Sequence, residues 1–172
     1  MINVEKKELE QLYKNQNWLQ NNEFVTCVAD ILVHPKFQKM NQFIQHGETT
    51  TMQHCLQVAY LTYRICKYYH LDYRSAARGA LLHDLFLYDW HTYRREFGRS
   101  FHGLTHPRVA LKNANRFLDL NVVEQDIILR HMWPLTLIPP RFLEGFVVMY
   151  ADKHCGLVET MKRFRYFRVA RQ

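Results

Sequence analysis

The chain has 172 residues, 48% of them hydrophobic and 23% charged, with a formal net charge of +7. That length suits one domain whose core is large enough to need no staples, and the composition is that of an ordinary soluble globular protein. Cys27, Cys55, Cys66 and Cys155 form no CxxC pair, which excludes a zinc knuckle or thioredoxin-like motif. No apolar run is long enough to span a bilayer and nothing at the N-terminus resembles a signal peptide, so a cytoplasmic protein with reduced thiols is expected.

Apolar residues recur at helical spacing over most of the chain, and the 6 Gly and 5 Pro suit helices joined by short loops. The pattern predicts helices over Val4–Gln20 and Glu23–Val33, the second ended at the His34-Pro35 step, and a short helix from Pro35 to Met40. Gln45-His46-Gly47-Glu48 reads as a turn. Thr49, Thr50 and Thr51 offer caps for a long helix to about Tyr69, and Asp72 caps a helix closing on His83-Asp84. Leu85 to Leu104 reads as irregular. A helix follows from Thr105 to about Leu118, and another from the Asn121 cap to His131 or Met132. A last long helix starts near Arg141, with a possible break at Gly156. No segment shows sustained strand alternation. The fold class is therefore all-α, a single helical bundle, with the helices of residues 1–42 packed on the unit formed by 43–172.

The chain carries 10 histidines. A single core histidine is more often hydrogen-bonded than metal-bound, so their placement matters more than their number. His83-Asp84 closes the apolar run Ala80-Leu81-Leu82, where burying both is costly unless something compensates them. His54 lies among Met52, Leu56 and Val58. His106 stands beside Pro107, His131 follows Ile127-Ile128-Leu129, and Asp152 follows Phe146-Val147-Val148-Met149-Tyr150-Ala151. Imidazole and carboxylate together suit divalent transition metals, and six such residues on core-facing elements are unlike independent accidents.

The order His54, His83-Asp84, Asp152, in the contexts Thr51-Met52-Gln53-His54-Cys55-Leu56, Ala80-Leu81-Leu82-His83-Asp84 and Tyr150-Ala151-Asp152-Lys153, resembles the HD superfamily of metal-dependent phosphohydrolases from about Phe43 to Glu159. With His106 and His131 added, the chain is similar to members with an H–HD–H–H–D signature that hold two metals. It also looks like an uncharacterised bacterial subgroup with segments like Leu85-Phe86-Leu87-Tyr88-Asp89-Trp90 and His131-Met132-Trp133-Pro134. The resemblance implies an all-α HD domain in which His54, His83, Asp84 and Asp152 hold one cation, while Asp84 bridges to a second held by His106 and His131. Iron or manganese is the first expectation, with magnesium, zinc, cobalt or nickel as alternatives. One departure stands out: Leu85-Phe86-Leu87 follows the dyad where many members have Ile-Gly or Ile-Gly-Lys, so the lysine that those members aim at phosphate is missing.

The implied activity is hydrolysis of a phosphoester, a nucleotide or other small phosphorylated metabolite, by a hydroxide drawn from a water that the metals acidify. Beside Asp84, His102 and Lys153 are candidates for the chemistry: His102 to donate a proton to a leaving group or contact phosphate, Lys153 to contact phosphate. His46, Glu48, Tyr88, Trp90 and Lys153 are candidates to line the cleft and bind substrate, and Arg78 is a weaker one. The tail Lys162 to Arg171 interleaves arginine with aromatics and would suit RNA, but reads better as one packed and one solvated helix face. A small phosphorylated substrate is the expected partner, with no membrane. Two other classes stay open: a catalytically silent module that senses a nucleotide or binds a partner, and a diiron oxygenase, which the same ligand types permit.

Overall fold

A computed structural model of the chain describes residues 17–92 and 102–169, with side chains through residue 161. After a 3₁₀ turn at Asn17–Gln20, the elements are α1 (Asn22–Leu32), α2 (Pro35–Gln38), a 3₁₀ turn at Lys39–Gln42, β1 (Ile44–His46), β2 (Thr49–Thr50), α3 (Thr51–Tyr68), α4 (Tyr73–Leu82), α5 (His102–Ala114), α6 (Val122–Arg130) and α7 (Leu143–Val169). Among the described residues the architecture is all-α, apart from one two-stranded hairpin. The expected first helix lies mostly outside the described residues, as does part of the Leu85–Leu104 stretch and the side chains of the basic tail.

The helix starts follow their caps. The Asn21 side chain accepts from Phe24 N, and Asp72 accepts from Ser75 N. Thr50 with Gln53, and Asn121 with Glu124, form reciprocal capping boxes at the starts of α3 and α6. α3 closes in a Schellman motif: Leu71 N reaches Cys66 O at 2.9 Å and His70 N reaches Lys67 O at 3.3 Å, with His70 in the left-handed region at φ 55°.

α4 is the hub. Its small residues Ala76, Ala77, Gly79 and Ala80 are buried and let α1, α3 and α6 approach closely. A Cβ on Gly79 would stand 2.9 Å from the side chain of Ile127. α7 crosses α3 and also touches α6 and α4. One core runs through these contacts, from Phe24, Ile31 and Phe37 through Leu56, Leu81 and Leu82 to Ile127 and Val148. Among the described residues no helix is long and apolar enough to cross a membrane.

Three expectations are corrected. Of the turn expected at residues 45–48, Gln45 and His46 lie in β1, which pairs antiparallel with β2 around Gly47-Glu48; both strands are too short for alternation to mark them, and Gly47 at φ 62° makes the reversal. α5 already includes His102, and the Thr105 hydroxyl donates to the His102 carbonyl at 3.5 Å, inside the helix rather than capping it. α7 continues unbroken through Gly156, because helix–helix packing outweighs the roughly 1 kcal/mol that one glycine costs.

Candidate metal centre

Five helices deliver six polar groups to a single buried point, the end of α4 supplying two of them. His54 comes from the first turn of α3. His83 is the C-cap of α4 with Asp84 next to it, His131 is the C-cap of α6, and His106 lies on α5. Asp152 lies inside α7. His54, His83, Asp84, His106 and His131 are all buried, and Asp152 is nearly so.

Three of the four imidazoles are oriented by the backbone behind them. His83 Nδ1 lies 2.7 Å from Ala80 O, His131 Nδ1 2.9 Å from Ile128 O, and His106 Nδ1 2.8 Å from His102 O. A carbonyl oxygen can only accept, so each Nδ1 carries the proton and donates. On a neutral ring each Nε2 then offers its lone pair to the centre, the arrangement in which imidazole binds a metal.

Asp84 sits between these lone pairs. Its Oδ1 is 3.0 Å from His106 Nε2 and 3.6 Å from His131 Nε2, and its Oδ2 is 3.4 Å from His83 Nε2. Asp152 Oδ1 lies 3.1 Å from His54 Nε2 and 3.8 Å from His83 Nε2. Besides a set from His46, His54 and Glu159, two sets of ligand atoms at this point each fall within 4.8 Å of one another, one from His54, His83 and Asp84, the other from Asp84, His106 and His131. Asp84 belongs to both, and Asp152 closes the first.

Protein groups alone leave this point unsatisfied. Among the described residues, His83 Nε2 and Asp84 Oδ1 are buried with no hydrogen bond. His106 Nε2 and His131 Nε2 stand 2.9 Å apart, and with both Nδ1 protons given to carbonyls two neutral rings have no proton to place between them. Protonating His131 is no remedy, because burial and the neighbouring His83 and His106 push it down to about 3. On Asp84, burial works against ionisation, yet His83, His106 and His131 hold its carboxyl well below the usual carboxylate range. Burial likewise opposes charge on His54, but Asp152 and Glu159 bring it up to about 10. A divalent cation on each side of Asp84 would satisfy the bare nitrogens and orphaned oxygen together, and a mixed nitrogen–oxygen donor set fits such ions. The residues present fit the implied metals.

A cleft of about 430 Å³ opens onto the centre. His46, Trp90, His102 and Lys153 line it. Two other sequence candidates do not: Glu48 is exposed in the hairpin turn, and Tyr88 reaches the cleft only through His102, its hydroxyl 3.1 Å from His102 Nδ1. Lys153 Nζ donates to Asp152 Oδ2 at 2.6 Å from a half-exposed position. Arg78 points away from the centre. It pairs with Glu124 at 2.7 Å and Asp30 at 2.6 Å, tying α4 to α6 and α1.

Two buried polar residues escaped the sequence reading. Gln45 Nε2 donates to Asp84 Oδ2 at 2.6 Å, while Gln45 Oε1 accepts from Thr51 Oγ1 at 3.2 Å. Glu159 places its two oxygens 3.2 and 3.0 Å from His54 Nδ1. Glu159 lies two helical turns after Asp152 on the same face of α7, a spacing that signals it. Gln45 carries no such signal, since its burial comes from the hairpin.

The model of the HD domain family matches residues 51–155, a span that holds all six residues of the centre. No curated protein and no solved structure matches the chain.

Proposed function

Because the chain belongs to the HD domain family, we propose that it is a metal-dependent phosphohydrolase acting on a small phosphoester, a nucleotide or another phosphorylated metabolite. The observation that carries this reading is the position of Asp84, one carboxylate shared by two buried ligand sets. Bound there, two divalent cations would offset the negative charge that protects a phosphate ester and acidify a water toward hydroxide near neutral pH. Iron and manganese are the metals expected first, and the mixed imidazole and carboxylate set permits either.

The chain's own groups do the rest. As ligands the four imidazoles would be neutral, so the loaded site would keep positive charge for an anionic substrate. Gln45 holds Oδ2 of Asp84 and so fixes the carboxylate plane. The cleft volume suits a small molecule. Burial and the adjacent His106 push His102 down to about 4, so its ring is neutral at physiological pH. In the tautomer with its proton on Nε2, His102 accepts from the Tyr88 hydroxyl at Nδ1 and serves as a hydrogen-bond donor to a phosphate or leaving-group oxygen. A neutral imidazole is a poor acid, so this contact role is favoured over proton delivery. Lys153 exchanges its bond to Asp152 for a phosphate oxygen, in place of the lysine that follows the dyad in other members.

A panel of phosphomonoesters, cyclic nucleotides, dinucleotides and nucleoside triphosphates, assayed with manganese or ferrous iron, tests this. Release of phosphate or cleavage of a diester is expected for at least one class. Silence across the panel would contradict it and favour the sensor or oxygenase reading.

A further inference from the structure

His54 differs from the other imidazoles of the centre. His83, His106 and His131 each give their Nδ1 proton to a backbone carbonyl of their own chain segment. The His54 ring instead crosses to α7, where a carboxylate takes the carbonyl's place. Glu159 is buried, and both its oxygens face His54 Nδ1, at 3.0 and 3.2 Å. Burying an ionised carboxylate is costly unless a strong donor meets it. His54 is the hydrogen-bond partner that the described residues give it.

We propose that Glu159 is a positioning residue that holds the His54 proton on Nδ1, so that Nε2 faces the cation between His54, His83, Asp84 and Asp152 and this becomes the tighter of the two metal positions. The proposal rests on reading the buried cluster as a metal centre. A carboxylate behind an imidazole fixes its tautomer and raises its basicity as a ligand. The position nearer His54 therefore has Asp84, Asp152 and, through the ring, Glu159. The position nearer His106 and His131 has Asp84 and two imidazoles backed by neutral carbonyls. The charge difference orders the loading: the His54 side fills first. α7 supplies both halves of this device, with Asp152 in contact with one nitrogen of the ring and Glu159 in contact with the other.

The experiment is a titration of metal-stripped full-length chain with manganese or cobalt alone, comparing wild type with Glu159→Gln. Wild type should take up two ions in two phases. Glu159→Gln should weaken the tight phase by about 10–100-fold and leave the weak phase in place. Unchanged phases, or a change confined to the weak one, would overturn the proposal. So would a third wild-type ion lost in the variant, which would make Glu159 a ligand together with His46, whose ring lies 5.5 Å from that of His54. A measurement that needs no variant stands beside it: nitrogen NMR of the zinc-loaded wild type should show His54 protonated on Nδ1, and zinc on Nδ1 would refute the positioning role. Neither readout depends on turnover. A chain that binds metal as described but hydrolyses nothing overturns the phosphohydrolase reading and leaves this one standing.

Discussion

His106 and His131 meet Nε2 to Nε2 at 2.9 Å, with the Nδ1 of each already donating to a backbone carbonyl. Two lone pairs at that distance repel, and burial keeps a proton off His131. Removing one of the pair therefore removes the reason for the second cation. His131→Ala should lower the metal content from two ions per chain to one and cut hydrolysis by about 100-fold or more, beyond the usual effect of losing an outer-shell group. Elemental analysis of the purified variant checks it; two retained ions would contradict the assignment.

In metal-stripped protein, His54 should make stability fall as pH rises. Its folded value stands at about 10, against an ordinary 6.5, because the opposing effect of burial is outweighed by Asp152 and Glu159. A group raised on folding gives its full stabilisation below the unfolded value and loses it as pH climbs toward the folded one. Thermal midpoints of chelator-treated wild type should decline between those limits, and His54→Gln should decline less. Equal slopes in the two proteins would contradict the pairing.

Arg78 is a structural strut. Its Nε bonds Glu124, which is 3% exposed, and its Nη1 bonds Asp30 and the Cys27 carbonyl. Arg78→Met removes the cation from the buried Glu124 carboxylate, leaving it the Asn121 N–H of the capping box, and should destabilise the fold by about 3 kcal/mol. Denaturant melts measure the loss. Metal content at low temperature should be unchanged, since Arg78 is remote from the centre.

His70 holds the left-handed position of the Schellman motif at φ 55° on an exposed surface. A side chain there costs roughly 1–2 kcal/mol in backbone strain, which glycine avoids. Glycine's greater freedom in the unfolded chain offsets part of that gain, so His70→Gly should stabilise the protein by about 1 kcal/mol. A lower melting midpoint would show that His70 makes a compensating contact.

The helices were legible where chemistry marks their ends. Asn121 and Asp72 read as caps and serve as such, whereas the run Thr49-Thr50-Thr51 offers three equivalent caps for α3, of which the fold uses Thr50. The start of α5 was misread because Pro107 suggests a first turn, whereas the helix already contains His102. The six residues of the centre stood out because each is a polar ligand type on an apolar element. Glu48 and Tyr88 stood near the dyad or His54 in sequence, but chain proximity does not fix which way a loop residue faces. Glu48 turns to solvent, and Tyr88 backs His102 instead of reaching the cleft. Gln45 was invisible because its contact with Asp84 spans 39 residues and depends on how the hairpin folds over α3.

On the proposed reading, Asp84 is shared between two cations. The most direct measurement is the metal content of wild type and Asp84→Ala, each purified without chelator and matched for folded fraction by circular dichroism. Wild type should carry close to two ions per chain, and Asp84→Ala close to none, because each ligand set loses its common oxygen donor. One or no ion in wild type, or two ions retained in Asp84→Ala, would contradict the bridging role.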